Sequence, residues 1–326
     1  VLHVTTGMGF LAFSGLINSV TCIALAFFVI ANNWRGLLNR SYFILNSSVT
    51  LYSLGYFFWQ TAASPSTALY WFRILTLGII LINQSYLYFV FTFIRIPKGR
   101  RELLRACFVV NAFFIVLNFS SLLYSDLVPK FGFGYWPIPQ PAFHPYLIFW
   151  VWQCLYGFSW LLRGYQEASG IKKAQVKYFL FAAVLGFAGG ATNWLLWYDI
   201  PFPPYLNILI SAYVGVVAYA IVRYRLMDIT VVITRTAVFG VVYALLLGVP
   251  LGAALTWQPE LERWLGARWW VWAWLGGAGL TTVAHYVNLY FQKRAEAALL
   301  KEQRRYQSTL LKASRGMTQI LELKRL

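Results

Sequence analysis

The 326 residues are 60% hydrophobic and 19% aromatic but only 11% charged, with a mean hydropathy of +0.60. No single water-soluble core can bury that much apolar surface, so the composition excludes an ordinary soluble domain and points to a chain whose solvent is lipid. The formal charge of +17 does not indicate nucleic acid, because the basic residues fall in short clusters between apolar runs and form no patch interleaved with stacking aromatics.

A helix needs about 20 apolar residues to cross the hydrocarbon of a bilayer. Nine stretches qualify: Gly7 to Ala31, Tyr42 to Ala62, Ala68 to Ile94, Leu103 to Tyr124, Tyr146 to Leu162, Tyr178 to Tyr198, Tyr205 to Val222, Thr236 to Trp257 and Trp269 to Phe291. The first has neither the basic leader nor the small-residue cleavage site of a secretory signal, so it reads as a true span. The fold class expected is an all-α integral membrane protein of seven plus two transmembrane helices.

Orientation follows from the loop charges. All of the 27 Lys and Arg residues except Arg73, Lys130, Arg263 and Arg268 lie on one side of this arrangement, which the positive-inside rule makes cytoplasmic. The N-terminus is then outside and the C-terminus inside. Within the outer loop from Ser125 to Pro145 stand Pro129, Pro137, Pro139, Pro141 and Pro145, beside Phe131, Phe133, Tyr135, Trp136 and Phe143. The prolines forbid a helix and favour a stiff extended cover, either a lid over a pocket or a cap against lipid headgroups.

Polar groups inside the spans are few. Gln60, Arg73, Trp150, Gln153, Asn193, Trp194, Trp197 and Asn207 all fall in the outer half of the first seven spans and form the candidate ligand set, in which Arg73 would attract an anionic group. The competing reading is an aromatic belt with amides bonding between helices. Asn83, Gln84, Asn111 and Asn118, deeper in their spans, read as interhelix hydrogen-bonding groups. No acid lies at depth in a span, which argues against an ion-coupled transporter, and Tyr205 to Val222 has no lysine for a retinal Schiff base. Cys22, Cys107 and Cys154 sit in apolar runs, and the isolated histidines and cysteines have no metal-ligand spacing, so neither a metal nor another cofactor is implied.

The charged knot after the seventh span, with Arg223, Arg225 and Asp228 and then Arg235, reads as a cytoplasmic connector over 223–235 between the block 1–222 and a second pair of spans within 236–291. That pair carries Gly248 and Gly252 in a GxxxG spacing, suited to close packing against its own bundle or against a twin. The tail, 292–326, places Leu299, Gln303, Tyr306, Leu310, Ala313, Met317, Ile320 and Lys324 on a heptad seam, as a parallel two-stranded coiled coil in a homodimer requires; a membrane-surface amphipathic helix has a similar pattern.

Seven spans ending in Arg223-Tyr-Arg-Leu-Met-Asp228, two further spans, and a tail reading Tyr306-Gln-Ser-Thr-Leu-Leu-Lys-Ala-Ser-Arg-Gly-Met-Thr-Gln-Ile-Leu-Glu-Leu-Lys-Arg-Leu326 resemble the seven-helix sensor region of bacterial membrane histidine kinases. The resemblance implies the inner membrane of a bacterium, a small-molecule or lipid cue, and a cytoplasmic GAF or PAS module leading to the kinase domains. His3, His144 and His285 are the only histidines, and none lies on a cytoplasmic dimer helix as a phospho-acceptor would. The chain therefore reads as an input region without catalytic residues; a non-catalytic accessory subunit of a larger membrane complex is the alternative.

Overall fold

The computed structural model describes residues 2–95 and 101–224, with the isolated positions Arg263 and Gly279. Seven helices are arranged in chain order: α1 (Leu2–Asn32), α2 (Leu37–Gln60), α3 (Pro65–Ile94), α4 (Arg101–Asn118), α5 (Phe143–Glu167), α6 (Gly170–Ala191) and α7 (Leu209–Tyr224). A two-stranded antiparallel hairpin, β1 (Tyr124–Lys130) and β2 (Phe133–Pro139), joins α4 to α5. The eighth and ninth expected spans, most of the connector and the coiled-coil seam lie outside the described residues.

The hairpin is the one strand-forming segment among the described residues of an otherwise helical bundle, and it shortens the fourth span, which ends at Asn118 instead of reaching Tyr124. Two local features explain it. Phe131 and Gly132 hold φ of 51° and 81°, the two positive values that a tight two-residue hairpin turn needs. Pro129, Pro137 and Pro139 in turn suit a short strand at the edge of a sheet and exclude a helix. The Asn118 side chain closes off α4: its amide nitrogen donates to the Arg73 carbonyl (2.9 Å) and its oxygen accepts from the Tyr124 hydroxyl (2.7 Å).

The helices begin or end some residues away from their apolar spans, α6 most of all. α6 begins at Gly170, not Tyr178, carrying Lys172, Lys173 and Lys177 into its first turns, where lysine stems lie along apolar surface while the ammonium groups reach polar surroundings. Lys172 Nζ sits 3.7 Å from the centre of the Phe93 ring and donates to the Phe93 carbonyl (3.0 Å). At its other end α6 tightens into a 3₁₀ turn, Thr192–Tyr198, and a second 3₁₀ turn, Tyr205–Ile208, leads into α7.

The bundle buries its polar groups among apolar and aromatic side chains and exposes apolar ones to the outside. α2 buries Tyr42, Asn46, Ser53, Tyr56 and Gln60 while Ile44, Leu54 and Phe58 face outward. α4 and α5 likewise expose Phe108, Phe113, Val116, Ile148 and Leu155. An outward coat of this kind is stable in lipid, where helix association rests on close packing and internal hydrogen bonds. By length and composition, Gly9–Asn32, Pro65–Ile94 and Gly170–Tyr198 are long and apolar enough to cross a membrane among the described residues; inward-facing polar groups lower the hydropathy of α2.

Interhelix amides hold the bundle. Asn83 Nδ2 donates to the Trp150 carbonyl (3.0 Å), Gln84 Nε2 to the Leu104 carbonyl (3.2 Å) and Asn111 Nδ2 to Gln84 Oε1 (3.1 Å), joining α3 to α4 and α5. Cys22, Cys107 and Cys154 are buried and unpaired as thiols.

A candidate ligand cavity beneath the hairpin

The inward face of α2 repeats at 3.5-residue intervals, through Tyr42, Asn46, Val49, Ser53, Tyr56 and Gln60, and meets α3, α5, α6 and α7 around a cavity of about 90 Å³. That is room for about six waters or one small organic molecule. Val49, Tyr52, Tyr56 and Trp59 of α2 form one wall, with Phe72, Leu75, Ile79 and Tyr86 of α3 beside them. Trp150 of α5, Gly186, Phe187 and Gly190 of α6, and Ile210 and Tyr213 of α7 complete the sides, and Trp136 of β2 stands at the hairpin end. Among the described residues no Lys, Arg, Asp, Glu or His lines it.

The hairpin is tied down over this space at two points. Trp59 Nε1 donates to the Tyr135 carbonyl (2.7 Å), and the Trp136 ring, wholly buried, meets Trp59 edge-on at 4.7 Å. On the other side Lys130 Nζ, on a side chain only 9% exposed, donates to the Trp197 carbonyl (3.0 Å) and pairs with Asp199 (2.8 Å). Aromatic contacts continue downward from there: Trp197 stacks on Phe143 at 4.3 Å, Trp150 meets Trp194 at 4.3 Å, and Phe187 lies 5.5 Å from Trp150 and 4.8 Å from Tyr86.

Behind one wall runs a hydrogen-bond network. Tyr56 donates to Asn193 Oδ1 (2.8 Å), Asn193 Nδ2 donates to the Tyr52 hydroxyl (3.2 Å), and Tyr52 donates to Asn207 Oδ1 (2.8 Å). Asn207 Nδ2 donates to Ser14 Oγ (2.9 Å), and the Asn207 carbonyl accepts from Asn18 (2.8 Å), whose own side-chain oxygen accepts from Ser211 (2.7 Å). The network thus couples three cavity-lining side chains to α1 and to the start of α7. Farther along α7, Tyr224 stacks on Tyr178 at 5.1 Å and its carbonyl accepts from Gln175 (2.9 Å), both on α6.

Of the side chains singled out in the sequence, Trp150, Asn193, Trp194 and Trp197 line the cavity. Asn207 stands directly behind it in the network, fully buried. Gln60, Arg73 and Gln153 do not line it. Gln60 is buried at the end of α2, and Gln153 is fully buried with neither amide atom hydrogen-bonded. Arg73 lies beside Tyr124, whose phenol is pushed up by burial, with Thr76 and then Arg73 acting in the opposite direction. Arg223 falls in the last turn of α7; Arg225, Asp228, Arg235, Gly248, Gly252, Leu299, Tyr306, Leu310, Met317 and Ile320 lie outside the described residues. Sequence reasoning missed Tyr52, Tyr56, Tyr86, Ser14 and Asn18, although the polar repeat along α2 and the Ser14, Asn18, Thr21 spacing in α1 were visible as inward stripes.

Seven helices with an apolar exterior, an internal polar network and a cavity capped by a hairpin define a multi-pass membrane protein. Residues 15–230 match the family model described as the N-terminal 7TM region of histidine kinase. The chain belongs to that family and has the signal-input role that the description implies. No curated protein and no solved structure matches it.

Proposed function

We propose that the chain is the input region of a two-component-type histidine kinase, in which occupancy of the cavity selects between two packings of the bundle and α7 carries the difference to a cytoplasmic output domain. One observation carries the reading: α7 lines the cavity through Ile210 and Tyr213 and, about 16 Å farther along its axis at 1.5 Å per residue, ends at Tyr224 where the connector begins. A ligand that contacts α7 differently in two packings shifts their populations by its difference in affinity, and a cue with equal affinity for both would do nothing. The Asn193–Tyr52–Asn207 network ties the same wall to α1, so a movement of α7 must break or carry those bonds.

The cation asymmetry supports an orientation with the hairpin end outside and the start of the connector in the cytoplasm, and in this reading the membrane is the inner membrane of a bacterium and the cue arrives from outside or from the outer leaflet. Connector, second pair of spans and heptad tail would then relay the change within a homodimer to GAF, PAS or kinase domains.

The test is autophosphorylation, in native membranes, of the product of the whole gene that encodes this chain. Asn193→Ala and Asn207→Ala are expected to change the rate at least fivefold at equal insertion, while Phe113→Leu, on the lipid-facing side of α4, leaves it unchanged. Equal rates for all of these would reject the proposed route, and a gene that ends shortly after Leu326 would reject the attached kinase.

A further inference from the structure

The polar side chains of the cavity wall have little left to offer an occupant. Tyr56 donates to Asn193 Oδ1 (2.8 Å), and Tyr52 donates to Asn207 Oδ1 (2.8 Å). The Asn193 amide donates both to the Tyr52 hydroxyl (3.2 Å) and to the Gly190 carbonyl (3.0 Å). Trp59 Nε1 is held by the Tyr135 carbonyl (2.7 Å), and the Tyr213 hydroxyl lies 3.5 Å from Asn46 Oδ1. The Trp136 and Trp150 indole nitrogens and the Tyr86 hydroxyl have no hydrogen-bond partner, but these atoms are buried with essentially no accessible surface, so they present no donor to the cavity.

What remains for contact is hydrocarbon and aromatic ring, with Leu45, Val49, Leu75, Ile79 and Ala183 standing among the rings of the wall. Among the described residues no formal charge lines it, so an ion would enter without a counter-charge and would be strongly disfavoured. A neutral polar group fares little better, since a carbonyl or hydroxyl carried in without a partner weakens binding by about tenfold or more. An apolar cavity of this kind stays dry and accepts molecules such as benzene or xenon. Building on the proposed input role, we propose that the cavity binds a small uncharged hydrocarbon-like molecule, held by shape and apolar contact with no hydrogen bond to the wall. Two sources supply that chemistry, a small molecule dissolved in the bilayer or the end of a lipid acyl chain.

The volume limits the size. Benzene enters an apolar cavity of roughly 150 Å³, so a cavity of about 90 Å³ suits a skeleton of about four carbons. Isobutene is the matching probe, because acetone and acetate keep its branched outline while carrying a carbonyl or a carboxylate. The full chain is reconstituted in nanodiscs of phytanyl-chain lipid, whose methyl branches hinder entry of a chain end, and its unfolding temperature is read. At ten times its Kd, isobutene is expected to raise the midpoint by roughly 3 °C, acetone at the same bilayer concentration by about 1 °C or less, and acetate not at all. Ala183→Leu extends the wall by an isopropyl group and is expected to abolish the isobutene shift. Ile79→Ala widens the cavity and is expected to gain a benzene shift that the wild type lacks, which decides the matter if the leucine variant does not fold.

An acetone shift equal to that of isobutene, an isobutene shift that survives in Ala183→Leu, or an Ile79→Ala protein indifferent to benzene overturns the proposal. In discs of linear-chain lipid, a higher starting midpoint with no further effect of isobutene identifies an acyl chain end as the occupant, and an unchanged effect identifies the free molecule; the hydrocarbon class stands in both. The outcome separates from that of the signalling assay. If the isobutene shift fails while Asn193→Ala still alters autophosphorylation, the ligand class falls and the input reading survives. A full shift with autophosphorylation equal in all variants keeps the site and removes the input reading.

Discussion

The glycines that join α1, α2 and α3 and the two glycines on the cavity wall are packed differently. In α1, α2 and α3 they bring backbones together: a Cβ added at Gly78 would sit 2.5 Å from the Tyr52 nitrogen, one at Gly55 2.7 Å from the Leu75 nitrogen, and one at Gly15 2.9 Å from the Phe57 nitrogen. On the cavity wall the same residue type has room: a Cβ at Gly190 finds no atom within 4 Å and one at Gly186 meets Tyr213 only at 3.6 Å, whereas at neighbouring Gly189, off the wall, it would sit 2.7 Å from the Leu206 carbonyl. Small residues can therefore serve opposite ends in one membrane protein. They remove side chains so that helices interlock at Gly15, Gly55 and Gly78, and they leave room on the cavity wall at Gly186 and Gly190. A device that must respond to a ligand needs both, a fixed frame and a wall that can yield.

That contrast is most sharply tested at Gly78. Gly78→Ala puts a methyl group against the backbone of Tyr52, which cannot give way as a flexible side chain can, and α2 must separate from α3. A loss of about 3 kcal/mol is expected, read as a lowered unfolding temperature in detergent. A neutral result would show that the two sets of glycines do not differ in packing.

Asn207→Ala comes next. It removes the acceptor for Tyr52 and the donor to Ser14, and at the modest strength of interhelix hydrogen bonds in membranes it should cost about 1.5 kcal/mol. Hydrogen exchange at the start of α7 should rise with it, which a purely local defect in α1 would not produce.

The hairpin strap should be weaker. Lys130→Met loses both the Trp197 carbonyl and Asp199, at about 1 kcal/mol. Asp199→Asn should cost only about 0.3 kcal/mol, because that carboxylate is largely exposed and water screens the pair. Faster proteolysis at Phe131-Gly132 in the lysine variant, with little change in the asparagine variant, is the expected signature.

Gly190→Ala is the smallest perturbation to folding. Its methyl group has nothing to strike, and alanine favours the helix over glycine by about 1 kcal/mol, so the unfolding temperature should hold or rise. The methyl group also stands on the cavity wall. A destabilised Gly190→Ala would mean that the cavity wall is as tightly filled as the α1–α3 contacts.

Much of the seven-helix frame was legible because hydrocarbon imposes one crude rule, a long apolar run for each crossing, and because lysine and arginine gather at one set of helix ends. Deviations cluster where local chemistry overrode hydropathy. The run into Tyr124 is apolar enough to continue α4, yet Asn118 closes the helix, and the prolines with Phe131-Gly132 fold residues 124–139 into strands. Four of the eight candidate ligand residues reached the cavity because outer-half aromatics at helix ends converge under the hairpin. Gln60, Arg73 and Gln153 share the same depth but not the same face, and a helix that is apolar nearly all round reveals little of its rotation.

By itself, the sequence determined the solvent of this protein, the number and order of its first seven long helices, the basic end of its bundle and the non-helical cover between α4 and α5, since each is set by residue type along the chain. Tertiary structure alone decided which polar groups meet. Tyr52 and Asn207 are 155 positions apart and bonded at 2.8 Å, whereas the Tyr86, Trp136 and Trp150 donors stand on three different elements without partners. Such meetings depend on how each helix is rotated about its axis, and that rotation is set by glycine contacts and interhelix hydrogen bonds between distant segments, which no local pattern records.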